Sequence, residues 1–107
     1  MMVLAGTLMT ANRTRIIQLA TQARMPAMYP SRLFVDDGGL MDYGFIEAER
    51  GSRAAEYVFD ILHGANPGDL PMEPPPHTEL VVNLSAAQAI GYPVPPPLLA
   101  RATDVLP

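Results

Sequence analysis

The segment of residues 38–84 constrains the fold of this 107-residue chain more than any other part. Its pattern predicts a strand at 40–43, an amphipathic helix at 46–62 and a second strand at 79–84. The connecting residues 66–76 hold five of the 12 prolines, which exclude a helix or a central strand and favour a stiff, extended connector. This arrangement indicates a chain that leaves one packed unit and returns, as at a hinge between two lobes.

The N-terminal part of the sequence predicts a βαβ unit. Residues 1–5 form an apolar run that is compatible with a buried strand, and residues 27–29 predict the next strand. Between them, apolar residues recur at helical spacing from Asn12, which is a suitable N-cap, and the helix must end before Pro26. Such a unit has parallel strands joined by a right-handed crossover.

The remaining segments complete a small α/β domain. Residues 31–37 predict a short helix or turn, and Ser85 is expected to cap a helix at 86–90. A last helix is predicted at 98–105, after a proline run. In the long helix, Glu49 and Arg53 are four residues apart and are expected to pair. We therefore predict a single α/β domain with a three-layer, parallel-sheet, Rossmann-like architecture.

Composition excludes several classes of function. The net charge is −4 and the chain has no basic excess, so nucleic-acid binding is not expected. All 7 basic residues are arginine and there is no cysteine, which excludes Schiff-base lysine chemistry, thiolate nucleophiles and cysteine metal sites. No apolar run reaches the ~20 residues of a membrane span, and no signal peptide is recognisable. These features predict either a cytoplasmic protein or a fragment whose natural N-terminus precedes Met1.

The side chains that could carry catalysis do not form a convincing set. His63 and His77 are the only histidines, and solvated positions at a helix end and in a loop are expected for them. Asp36, Asp37 and Asp42 could serve acid–base chemistry, but a capping role beside glycine is the more ordinary one. A hydrolase that uses Asp36, Asp37 or His77 is thus a minor alternative. We expect no enzyme activity, no metal and no cofactor.

A binding site is better supported by the sequence than a catalytic one. In open parallel sheets, ligands lie beyond the carboxyl ends of the strands. The predicted strand ends place hydroxyl groups, an aromatic face and exposed backbone amides there, which suit a small polar or aromatic ligand. The candidate ligand-binding residues are Thr7, Tyr29, Ser31, Asp42 and Tyr43.

Over nearly its full length, the chain also resembles a known family. The matching stretches are RIIQLA at 15–20, MPAMYP at 25–30, FVDDGGLMDYG at 34–44, RAAEYV at 53–58, ILHGANP at 61–67, DLPME at 69–73, ELVVNL at 79–84 and PPLLARA at 96–102. In this order they resemble the C-terminal part of the ABC transporter substrate-binding proteins of the tryptophan/tyrosine-binding type, which are similar to type I periplasmic binding proteins.

The resemblance implies a two-lobed ligand trap that closes by hinge bending. Residues 1–40 would belong to the C-terminal lobe, and residues 41–78 would contain the hinge crossings and the long helix, which would pack on the N-terminal lobe. The chain would cross back at 72–80, and residues 79–107 would supply the return strand and the terminal helices. Gly6 stands where family members often carry a ligand-binding aspartate, which separates this chain from an ordinary amino-acid site.

The function that the resemblance implies is a solute-binding fragment of an ABC-type importer, with an amino acid as a suitable solute. Its partners would be the ABC permease and a second copy of the chain, since the long helix lacks the lobe it would cover. We expect a homodimer, with exchange of the segment after Gly39 as one possible form. The location would be periplasmic or extracytoplasmic. The alternative is a stand-alone sensory or interaction domain without a transport role.

Overall fold

The computed structural model describes residues 1–74 and 77–107. Its helices and strands are α1 Thr7–Ala11, α2 Arg13–Gln22, β1 Met28–Tyr29, α3 Arg32–Asp36, β2 Met41–Phe45, α4 Glu47–Leu62, β3 Thr78–Asn83, α5 Leu84–Ile90, α6 Pro96–Arg101 and β4 Asp104–Leu106. The chain divides into two compact units, one made of Met1–Gly44 with Glu79–Pro107 and the other of Phe45–Thr78. Within the described ranges, no helix is long and apolar enough to cross a membrane.

The four strands form one sheet in the order β1-β2-β3-β4. Strands β1 and β2 are parallel, and so are β3 and β4. The sheet lies mainly in the first unit, with helices connecting its strands. The predicted α/β fold with a parallel-dominated open sheet is therefore confirmed, and three of the predicted strands lie within two residues of their expected bounds.

The N-terminal strand is much shorter than predicted. Residues 1–5 contribute a single parallel bridge between Met2 and Met28, and Val3 is their only buried residue. The chain then turns at Gly6 into α1, a helix that the sequence pattern did not predict. Asn12 lies between α1 and α2, but its side chain donates to the Leu8 carbonyl at 2.9 Å instead of capping α2. The end of α2 at Gln22, before Pro26, is as predicted.

The core of the first unit consists of two clusters of buried side chains. The first contains Val3, Ile17, Ala20, Ala27, Tyr29 and Phe34, which come from the N-terminal residues, α2, β1 and α3. The second contains Leu40, Met41, Leu80, Val82, Ala87 and Ile90. Partly buried apolar residues pack against both clusters: Ile16 against the first, and Met28, Ala86, Tyr92, Val94, Leu98, Leu99 and Ala102 against the second. Apolar burial of this kind is the main favourable contribution to the free energy of folding.

The C-terminal segment differs from the sequence prediction in two respects. Asn83, not Ser85, caps α5, because its Oδ1 accepts from the backbone of Ala86 at 3.0 Å. The predicted helix 98–105 is wrong at its end: α6 stops at Arg101, and β4 pairs in parallel with β3. The backbone of β3 supplies hydrogen-bond partners to the residues after α6. The Thr103 backbone N–H, for example, donates to the Leu80 carbonyl at 2.8 Å.

The second unit is α4 followed by an irregular segment. Asn66 caps a 3₁₀ turn at Pro67–Asp69, and the hydroxyl of Tyr57 donates to the Pro71 carbonyl at 2.7 Å. The predicted Glu49–Arg53 pair is wrong, since Arg53 pairs with Glu56 and Glu73. Residues 75 and 76 of the predicted extended connector lie outside the described part of the chain.

Candidate functional site

The carboxyl ends of β1 and β2 meet at one edge of the sheet because the two strands are parallel. In their register, Tyr29 of β1 lies opposite Asp42 of β2. Pro30 and Ser31 follow β1 directly, and Tyr43 and Gly44 follow Asp42 within β2. The structure therefore brings four of the five predicted site residues to neighbouring positions. The fifth, Thr7, is exposed at the start of α1.

Asp42 is a carboxylate inside the fold, with no exposed surface. Its Oδ1 accepts a hydrogen bond from the backbone N–H of Val81, at 3.2 Å. Within residues 1–74 and 77–107, its Oδ2 is the one buried side-chain oxygen that lacks a hydrogen-bond partner. A buried acceptor without a donor costs free energy, so an Oδ2 left in this state indicates a reason beyond packing.

An arginine lies among the carboxylates that surround Asp42. Arg32 of α3 contacts Asp104 at 2.7 Å, Asp36 at 3.6 Å and the nearly buried Glu79 at 3.7 Å. Burial, with the negative charge of Glu79 next in importance, raises the pKa of Asp42 from 3.8 to about 6. The hydrogen bond from Val81 and the charge of Arg32 partly oppose this rise. The group therefore holds several negative charges around one guanidinium.

Gly44 lies close to the backbone that follows β1, with no room for a side chain. A Cβ on Gly44 would lie 2.9 Å from the Pro30 carbonyl oxygen and 3.9 Å from Asp42 Oδ2. Any larger residue would thus press on the backbone that follows β1.

The other predicted contacts differ in accessibility. Tyr29 is 2% exposed and stacks on Phe34 with ring centroids 5.1 Å apart, and burial raises the pKa of its hydroxyl. Ser31 is partly buried and its carbonyl accepts from the Phe34 backbone N–H at 3.1 Å. Tyr43 is more than half exposed. Their roles as ligand contacts stay predictions.

Other residues that were considered for catalysis have partners of their own. Asp37 pairs with Arg13 at 2.6 Å, whereas His77 contacts Glu49 of the second unit at 3.1 Å. Nδ1 of His63 lies 2.8 Å from the Phe59 carbonyl. In the described part of the chain, no group of three or more histidine, aspartate or glutamate side chains is arranged to hold a metal ion.

Sequence reasoning missed Arg32, Glu79 and Asp104 as members of this group. Arg32 and Asp104 are 72 residues apart in sequence, and no spacing pattern connects them. The available signal was the position of Arg32 three residues after the end of β1, close to where an open parallel sheet places its ligand contacts.

One family model matches almost the whole chain, and solved structures share its fold. The model of a family described as "ABC transporter substrate binding protein" matches residues 1–106. A crystal structure described as a conserved domain protein from Vibrio cholerae is 31% identical, with a TM-score of 0.90, and the match covers 97% of this chain and 35% of that one. An ABC domain from Streptococcus pneumonia in complex with L-Trp is 21% identical, with a TM-score of 0.88 and coverages of 98% and 36%.

A third similar structure is the ligand-free, open form of CD0873, a substrate binding protein with adhesive properties from Clostridium difficile. It is 22% identical, with a TM-score of 0.66, over 98% of this chain and 35% of that one. A search among functionally curated proteins gives no match. The chain thus spans little more than a third of the length of the structures it resembles.

Proposed function

Because this chain belongs to the ABC transporter substrate-binding protein family, we propose that it is part of the solute-binding component of an ABC-type importer. Its solute is a small molecule such as an amino acid, held in a cleft between two lobes. The chain contributes binding, not catalysis. The family match over residues 1–106 carries the proposal, and the meeting of the carboxyl ends of the parallel strands β1 and β2, where ligands of open sheets lie, supports a site there.

The division of the chain into lobe and hinge segments is part of the same proposal. Residues 1–40 contribute to the C-terminal lobe, residues 41–78 contain the crossings and α4, and residues 79–107 return to the first lobe. The L-Trp complex of the similar pneumococcal domain supports an aromatic amino acid as one solute to test. Thr7, Ser31 and Tyr43 are the further contacts we propose, with Tyr29 behind them.

The proposed partners are an ABC permease, which receives the solute on the outer side of the membrane, and a second copy of this chain. An extracytoplasmic location agrees with that role. The exposed apolar side chains of α4 support self-association, because surfaces of this kind tend to be covered by a partner.

Thermal unfolding with a panel of L-amino acids tests the proposal. A ligand that binds only the native state raises the midpoint, and the rise grows with ligand concentration. We expect a rise with aromatic or branched L-amino acids and none with the matching D-enantiomers. Amino-acid binding would be contradicted if no amino acid raised the unfolding midpoint at about 100 μM, which is roughly 100 times a micromolar Kd.

Neighbouring genes distinguish transport from a stand-alone sensory or interaction role. Genes for a permease and an ATPase beside this one are expected for an importer. Their absence, together with a gene for a signalling partner, would favour the other role.

A further inference from the structure

We propose that Asp42 and Glu79 form a proton-sensitive pair between β2 and β3, the two strands through which the chain leaves and re-enters the first unit. When Asp42 carries a proton, the two strands stay paired at this point. When Asp42 is ionised, repulsion between two poorly solvated carboxylates favours local opening of the strands. This behaviour is independent of the solute that the chain binds.

The pair lies where the two crossings of the chain adjoin each other. The first unit ends at Gly44, two residues after Asp42, and resumes at Glu79. Strands β2 and β3 are neighbours in the sheet. A change in the pairing of these two strands therefore acts at once on both places where the chain passes between the first unit and residues 45–78.

The Asp42 side chain takes part in the pairing of the two strands. Its Oδ1 accepts from the backbone N–H of Val81 at 3.2 Å, so a side chain of β2 holds the backbone of β3. Asp42 has no exposed surface, and its Oδ2 lacks a hydrogen-bond partner among residues 1–74 and 77–107. Such a carboxyl group is costly to bury when it is ionised, and the neutral acid avoids most of that cost.

The surrounding charges leave the pair with a negative excess. Glu79 is only 9% exposed. The other titratable groups around Asp42 are one guanidinium, two carboxylates and one phenol: Arg32 and Asp36 of α3, Asp104 of β4 and Tyr29 of β1. Arg32 is shared with Glu79 and both other carboxylates, at 3.7, 3.6 and 2.7 Å. The phenol is uncharged, since burial raises the pKa of its hydroxyl. Four carboxylates therefore share one guanidinium.

Opening of the strands must follow the charge of Asp42. Burial, and then the charge of Glu79, raises the pKa of this carboxyl from 3.8 to about 6, and the pKa returns towards 3.8 once water reaches the group. The paired form thus binds the proton more tightly. Its advantage is complete below about pH 4 and is lost as the pH rises to about 6. By this linkage the opening equilibrium increases about tenfold between pH 5 and pH 7.5.

NMR relaxation dispersion of the backbone amides tests this opening, because it measures microsecond-to-millisecond exchange within the native state. We expect the exchange contribution at the Leu80 and Val81 amides to be about tenfold larger at pH 7.5 than at pH 5. The amide of Ala20 in α2 should not change. The chemical shift of the Val81 amide, which donates to Asp42, should titrate with a midpoint of about 6.

Two variants and a control assign the effect to the pair. Asp42→Asn is uncharged at every pH and its amide oxygen can still accept from Val81, so exchange at pH 7.5 should fall at least about tenfold. Glu79→Gln removes the neighbouring charge and should lower both the midpoint and the exchange at pH 7.5. The control Asp37→Asn, whose carboxylate pairs with Arg13 at 2.6 Å, should leave both unchanged.

Three results overturn the proposal. Exchange at Val81 that is equal at the two pH values, or undetectable at both, would show that no proton-dependent opening occurs. An equal change at the α2 amides would assign the effect to the whole unit instead of to β2 and β3. If Asp42→Asn does not fold, exchange that Glu79→Gln leaves unchanged would show that the two carboxylates do not act as a pair.

Discussion

The two units of this chain are stabilised in different ways. The first contains two clusters of buried apolar side chains, in which Phe34, Val35, Val81 and Val82 have no exposed surface. In the second, no residue of α4 is buried. Its described contacts include ion pairs of Arg53 with Glu56 and Glu73, of Arg50 with Glu47 and of His77 with Glu49, and a hydrogen bond from Tyr57 to the Pro71 carbonyl.

The difference shows what an amphipathic pattern establishes. Apolar residues at helical spacing are enough to form α4, but they do not determine what covers its apolar face. Val58, Phe59, Ile61 and Leu62 of that helix are all exposed. Surface ion pairs contribute little to the free energy of unfolding, so most stability of the isolated chain is expected to reside in the first unit.

Phenylalanine truncation gives the largest test of this contrast. Phe34→Ala removes a fully buried ring and is expected to lower the free energy of unfolding by about 3–5 kcal/mol. Phe59→Ala, the same change on exposed α4, is expected to cost less than about 1 kcal/mol. Urea denaturation at low protein concentration measures both. Equal losses of unfolding free energy in the two variants would contradict the contrast, because Phe59 would then be packed as well as Phe34.

Asp42→Asn tests the one buried charge of the first unit that lacks a full set of partners. The pKa of Asp42 is about 6 in the folded state, above its ordinary 3.8. The folded state thus binds the proton more tightly, and stability falls as pH rises from about 4 to about 6. The variant should remove this slope and gain up to about 3 kcal/mol at pH 7.5. Urea titrations across this pH range check it, and an unchanged slope would contradict it.

Arg32→Gln is expected to have a smaller effect in the opposite direction. Glu79 is almost buried and would lose its contact with the guanidinium, while Asp42 would lose a nearby positive charge. Since the Arg32 side chain is 39% exposed, we expect a loss of only about 1–2 kcal/mol. Arg50→Gln is the control, because Arg50 pairs with the exposed Glu47 of α4. A comparable loss in both variants would assign no special role to the Arg32 group.

Charged substitutions on the exposed face of α4 are expected to change folding stability least. Their expected effect is on assembly. Val58→Glu with Leu62→Glu places two charges on its exposed apolar face and should convert the proposed dimer to a monomer. Ser52→Glu, at another exposed position of α4, should leave the dimer intact. Size-exclusion chromatography with light scattering measures the mass. A native chain that is monomeric at every concentration would contradict the proposed dimer.

The sequence predicted some elements closely and missed others for identifiable reasons. Its helix at 46–62 agrees with α4 at Glu47–Leu62, and Gly64 after it has the positive φ of 100° that such a helix end favours. The predicted helix at 98–105 overlooked β4, because Asp104 and Val105 gain a partner strand that local propensity does not include.

The candidate site shows the same division. Asp42 and Tyr29 were identified from strand ends alone, and their opposition follows from the parallel register. Their burial did not follow, since an aspartate beside a glycine turn is ordinarily solvated. Arg32, Glu79 and Asp104 escaped notice because their association depends on three separate elements.

By itself, the sequence determined the extent of α4, the end of α2 before Pro26, the α/β class, and the family resemblance. These features depend on backbone sterics and on apolar spacing over a few residues. Only the tertiary structure decided that β4 completes the sheet, that Asp42 loses all contact with solvent, and that Arg32 gathers carboxylates from as far as Asp104. Such outcomes depend on burial and charge between residues that only folding brings together.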